Sequence, residues 1–147
     1  MKQRISIKDL EPGFYQAMFG LGKYEASTGI TAGLKELIKI RASQINGCAY
    51  CLQIHTVDAR KGGESEYRIY ALSAWWESPL FSDAEKAALA VTDEVTLIAD
   101  RGLSEATYQE ASRHFNDHEM AQLIAHIIAI NAWNRIAVST HMFHEVS

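Results

Sequence analysis

Cysteine occurs twice in this chain, as Cys48 and Cys51 in the stretch "INGCAYCLQIH", and His55 follows four residues after the second. Three chemistries fit such a set. Two cysteines separated by two residues can cycle between dithiol and disulfide. Two thiolates and an imidazole can instead hold a zinc ion, with Glu36 or a water as fourth ligand. The third reading is packing alone, because a free cysteine behaves as a small apolar side chain.

Helical spacing favours chemistry on one face. If a helix begins just after Gly47, Cys48 lies in its first turn, Cys51 one turn on and His55 one turn beyond that. Cα atoms three apart in a helix are roughly 5 Å from each other, within the span of a disulfide. A thiolate at a helix N-terminus is stabilised by free N–H groups and by the positive end of the macrodipole, and the thiolate is the reactive form. His55 is then placed to accept the Cys51 proton, and a base of this kind normally has a third group to orient it. If the chain turns back on itself at Asn46-Gly47, Glu36 on the preceding helix lies about 16 Å from the turn and His55 about 12 Å. That mismatch is within reach of two side chains or of one bridging water, so Glu36 is the carboxylate expected to pair with His55.

The elements that must hold these residues read as helices throughout. Leu34, Leu37, Ile38 and Ile45 recur at helical spacing and predict a helix over 29–45, ended by Gly47. A second helix from Cys48 stops at Gly62-Gly63. A third covers "ESEYRIYALSAWW". Ser82 and Glu85 form a capping box that opens a helix over 82–100, Ser104 caps a shorter one, and Asn116 with Glu119 starts the longest, to about His141. Pro12 and Pro79 lie outside these patterns. The expected fold is all-α: one domain spanning 1–147, a bundle of about six helices. Tyr67 and Tyr70, at helical spacing, are placed in the core, with use by the thiol pocket as the alternative, and the charged stretch Asp58 to Glu66 is read as a solvated turn. Among the other histidines, His126 is a hydrogen-bonded core residue, while His114, His118, His141 and His144 are surface or interface residues rather than ligands.

Composition narrows the function classes. A net charge of −4 without a basic stripe argues against nucleic acid. "MAQLIAHIIAINAW" is interrupted by Gln122, His126 and Asn131 and falls short of the roughly 20 apolar residues of a membrane span. The N-terminus has no apolar run of signal-peptide length, so the expected location is the cytoplasm, where closely spaced cysteines are more often catalytic or metal-binding than structural. The helix "LIAHIIAINAWNRIAV" is apolar nearly all round and should be buried on every side. Adjacent Trp75 and Trp76 would point roughly 100° apart on a helix, too far for one core stripe. Both features fit a homo-oligomer.

The stretch over 34–63, with Glu36, eleven intervening residues and then Cys48-x-x-Cys51-x-x-x-His55 behind an Asn-Gly turn, resembles the alkylhydroperoxidase D-like proteins of the carboxymuconolactone decarboxylase superfamily. "LSAWWESPLFSDAEKAALAVTDEVT" and "IAINAWNRIAV" are also similar. The resemblance implies an all-helical fold, trimers or hexamers, no cofactor, and reduction of hydroperoxides through the cysteine pair at the expense of an external dithiol or thiol-carrier protein. It implies that Cys51 attacks the peroxide, that Cys48 resolves the sulfenic acid to a disulfide, and that His55 and Glu36 relay protons. In one departure, Tyr50 stands where the best-known members carry a second histidine. Two other readings remain: a metal-binding or structural helical protein, and a lactone decarboxylase of the same superfamily, whose chemistry would not need the cysteines.

Overall fold

The computed structural model describes residues 1–143 and folds them into nine α-helices, with no strand among the described residues. These are α1 (Ile7–Leu10), α2 (Pro12–Ser27), α3 (Ala32–Asn46), α4 (Ala49–Lys61), α5 (Glu66–Ala71), α6 (Asp83–Thr96), α7 (Ile98–Arg101), α8 (Glu105–Ser112) and α9 (Asp117–Thr140). No helix among them is long and apolar enough to cross a membrane.

Helix α3 is the hub. Thr31 opens it by accepting a hydrogen bond from the Leu34 N–H, and Leu37, Ile38 and Ile40 are fully buried on its different faces. Ile38 and Ala42 pack with Ala88 and Val91 of α6 and with Leu123, Ile127 and Ile130 of α9. Leu37 and Ile40 pack with Ala59 of α4, Leu72, Phe81 and Leu89. Each such aliphatic side chain contributes about 1.5–3 kcal/mol on burial, so α3 is fixed from several sides at once.

Polar contacts set the register of α3 on α9. Asn46 donates to the side-chain oxygens of Asn131 and Asn134, both at 2.9 Å, and Asn134 donates to the Ser43 hydroxyl at 3.0 Å. Ser43 in turn donates to the Lys39 carbonyl, and Asn131 reaches Thr96 of α6. A second buried link ties α2 to α9: His126 has no exposed surface and pairs with Glu25 at 3.2 Å and the Thr28 hydroxyl at 2.7 Å. His126 is thus the hydrogen-bonded core residue that was expected, whereas His144 lies outside the described residues.

Several expectations are corrected. Pro12 does not lie outside a helix but starts α2, where its missing N–H has no intrahelical acceptor to serve. The pattern over 82–100 breaks at Leu97, whose ψ of 41° separates α6 from α7. The third helix shortens to α5 and tightens into a 3-10 turn over Leu72–Ala74, so both tryptophans lie beyond it. Their rings meet edge to face at 5.8 Å. Trp75 turns inward and donates to Asp93, which also takes a two-pronged ion pair from Arg41 at 2.7 and 3.0 Å. Trp76 stays exposed beneath the Arg41 guanidinium. Tyr67 and Tyr70 are not core residues; they are 77% and 70% exposed. Nor is α9 buried all round in the single chain, since Ile128 is 56% exposed.

Removing the Asn134 side chain leaves one acceptor fewer for Asn46 and opens a void between α3 and α9. Asn134→Ala is expected to lower the unfolding free energy by about 2 kcal/mol, read from urea denaturation midpoints at unchanged m-value.

Candidate active site

The cysteines sit where two helices share a junction. Gly47 takes the left-handed conformation, φ 65° and ψ 36°, and its N–H returns to the Gln44 carbonyl. The Cys48 N–H reaches the Ser43 carbonyl at 3.0 Å, completing the paired hydrogen bonds of a Schellman turn. The sulfur of the same residue caps the next helix, accepting the Cys51 N–H at 3.3 Å. One residue closes α3 with its backbone and opens α4 with its side chain.

Cys48 and Cys51 are joined as a disulfide, with Cα atoms 5.4 Å apart. Both are buried, at 1% and 4% exposure, beneath Ala137 of α9, with Tyr50 and Met142 alongside. A cavity of about 320 Å³ opens beside them, walled by Cys48, Tyr50, Ala137, Val138, Met142 and Phe143. Cys51 is not in its wall among the described residues.

Helix α4 folds back along α3, and the expected carboxylate–imidazole pair forms directly. His55 Nδ1 lies 3.1 Å from Glu36 Oε2, with no water needed between them. Lys39 approaches the other carboxylate oxygen at 3.5 Å. Burial alone would favour a neutral Glu36. The hydrogen bond from His55 and the charges of Lys39 and His55 outweigh it, and the carboxyl is held below its ordinary value. An ionised carboxylate can only accept, so Nδ1 carries the hydrogen, and in the neutral imidazole Nε2 is the basic nitrogen of His55.

Asp58 lies in α4, within the helix expected to run to Gly62-Gly63; it is solvent-exposed but helical rather than in a turn, and α4 brings it to the same place. Donor atoms of Glu36, His55 and Asp58 all lie within 4.8 Å of one another. This is not the donor set expected for zinc, because the two sulfurs are engaged with each other rather than gathered with His55. The Asn46–Asn131–Asn134 ladder, which holds Ala137 over the sulfurs, also escaped the reading from sequence. Two asparagines one turn apart in an otherwise apolar helix were the available signal.

The comparisons with known proteins agree with this architecture. The chain belongs to the carboxymuconolactone decarboxylase family, whose model matches residues 12–94, and it has the AhpD-like fold. It is 41% identical over 139 residues to the uncharacterized protein YdfG of Bacillus subtilis, covering 95% of each chain. A crystal structure of ATU0492 from Agrobacterium tumefaciens superposes with a TM-score of 0.96 at 39% identity, over 99% of this chain and all of that one. ATU0492 is a protein of unknown function carrying the name of the antioxidant defence protein AhpD. The debrominase Bmp8 shares the fold, with a TM-score of 0.82 at 24% identity over 93% of this chain and 74% of its own.

The Glu36 carboxyl titrates lower in the folded chain than in the unfolded one, so its stabilisation is present above the unfolded value and is lost as pH falls through the folded one. Wild-type stability should therefore fall between about pH 5 and pH 3, and Glu36→Gln should flatten that part of the profile, measured by urea titration at each pH.

Proposed function

We propose that this protein is a thiol-dependent peroxidase and disulfide oxidoreductase whose working groups are Cys51, Cys48, His55 and Glu36. The observation that carries the reading is the bonded pair at the start of α4, followed one turn later by an imidazole already oriented by an ionised carboxylate. Family membership supports it, as does the fold shared with ATU0492.

In the reduced protein, His55 Nε2 takes the Cys51 proton, directly or through water. The thiolate attacks the outer oxygen of a hydroperoxide. An S–O bond forms, the O–O bond breaks, and the alcohol leaves with a proton returned from the relay. Cys48 then attacks the Cys51 sulfur of the sulfenic acid: the S–S bond forms, the S–O bond breaks, and the departing hydroxide takes the Cys48 proton to leave as water. An external dithiol donates two electrons to reopen it and becomes a disulfide itself. No cofactor enters this sequence. The cytosol is its natural setting, because thiols there are kept in the reduced form the first step needs. The exposed apolar side chains Phe14, Phe19 and Ile128 support assembly into a trimer or hexamer, which light scattering would count.

The test is to titrate free thiols in the reduced, metal-free protein before and after one equivalent of cumene hydroperoxide, following peroxide loss in parallel. Both thiols should disappear with matching peroxide consumption. Cys51→Ser should abolish consumption, while Cys48→Ser should leave a sulfenic acid that dimedone traps. Survival of both thiols together with the peroxide would overturn the reading. Lactone decarboxylation that persisted in a double Cys→Ser variant would favour the lyase alternative.

A further inference from the structure

The two sulfurs differ in what surrounds them. The cavity beside the disulfide reaches Cys48, whereas Cys51 lines neither it nor the adjoining cavity along Tyr50, Ile54 and Val57 among the described residues. Cys48 is also the N-cap, and its sulfur accepts the Cys51 N–H at the positive end of a helix of 13 residues. That arrangement stabilises a thiolate on Cys48. His55 and Glu36 belong to the Cys51 side, one turn further along α4.

We propose that external thiols and disulfides exchange with Cys48, and that the cavity at the end of α9 is the port through which they reach it. The proposal rests on the pair being redox-active, and it divides the labour: peroxide meets Cys51, and the reductant meets Cys48. In the resetting direction, a thiolate entering the cavity forms a bond to the Cys48 sulfur. The Cys48–Cys51 bond breaks, and Cys51 leaves with the electron pair beside the His55–Glu36 relay. The second thiol of the reductant then attacks the mixed disulfide, forming the reductant's own disulfide and releasing Cys48 as thiolate. Run backwards, the reduced protein attacks an external disulfide with Cys48 first.

The wall also names the chemical class. Tyr50, Ala137, Val138, Met142 and Phe143 offer apolar surface, His141 lines the same cavity, and no carboxylate lines it among the described residues. An incoming thiolate therefore meets no fixed negative charge from the described residues. At about 320 Å³ the space matches the lower end of small-molecule sites. It suits a thiol carried on a short aliphatic or aryl group better than a bulky, multiply charged one.

The test needs no peroxide. Reduced Cys51→Ser and Cys48→Ser proteins are mixed with 2,2′-dithiodipyridine, a neutral aryl disulfide, and thiopyridone release is followed by stopped flow. Cys51→Ser, which retains Cys48, should react on the order of tenfold faster than Cys48→Ser. In wild-type protein, the oxidised form is treated with benzyl mercaptan and quenched with N-ethylmaleimide. Peptide mapping should place the benzyl mixed disulfide on Cys48 and the maleimide on Cys51. Val138→Trp, which fills the port, should slow the dithiodipyridine reaction of the reduced wild-type protein. Label on Cys51, or a Cys48→Ser protein reacting as fast as Cys51→Ser, would overturn the proposal. An unaltered rate in Val138→Trp would remove the port. Exchange at Cys48 in a protein inert to peroxide would overturn the peroxidase reading alone.

Discussion

The left-handed turn at Gly47 is the constraint on which the rest depends. It lets the Cys48 N–H finish α3 and the Cys48 sulfur begin α4, with no linker between the two helices. A longer connection would let α4 drift along α3, and the 3.1 Å contact between Glu36 and His55 would be lost. A side chain with a Cβ at residue 47 would meet no neighbour within 4 Å, so the demand for glycine there comes from the backbone conformation and not from crowding.

Around that junction the molecule divides its adhesives. Apolar packing locks α3 against α4, α6 and α9 without specifying how far one helix slides on another. Directional hydrogen bonds supply that information: Asn46 and Ser43 on α3 engage Asn131 and Asn134 on α9. The result places Ala137, a side chain small enough to let α9 approach closely, over the sulfurs. Arg68 plays a similar part at the far end of α4, bridging Glu64 and Glu85 and stacking on Phe81. Its partners include the glutamate that completes the α6 capping box, so one residue couples a helix start to the end of the α3–α4 hairpin.

Features with a local cause were legible in the sequence. The two capping boxes, the Gly47 stop and the Glu36–His55 pairing follow from spacing within a helix or across a tight hairpin, and the structure contains each of them. Features decided by distant parts of the chain were not. Helix α2 has little sequence signal of its own, carrying Gly20 and Gly22 in its interior, and it is anchored by Glu25 reaching His126 a hundred residues on. Tyr67 and Tyr70 have helical spacing, but α5 ends after six residues and presents them to solvent. Asp58 is solvent-exposed as expected and lies in the helix expected to run to Gly62-Gly63, but its approach to Glu36 depends on α4 folding back along α3, which the charged stretch did not signal. The assembly expected from the apolar α9 likewise depends on surfaces outside a single chain.

The short span between the cysteines has a consequence for the energetics of the proposed redox cycle. In the chain-entropy view, a disulfide stabilises a fold by restricting the unfolded state, by nearly 5 kcal/mol for a loop of about a hundred residues but only about 2 kcal/mol for a loop of about four. Here the bonded residues are three apart, and their Cα separation of 5.4 Å is close to what helical geometry imposes with or without the bond. The bond therefore contributes far less than one closing a long loop would, about as much as a single member of the asparagine ladder, and the α3 core holds the fold in either state. In the cycle proposed above, making and breaking the bond would change stability by about 2 kcal/mol rather than the nearly 5 of a long loop, so the short spacing keeps the two redox states close in stability.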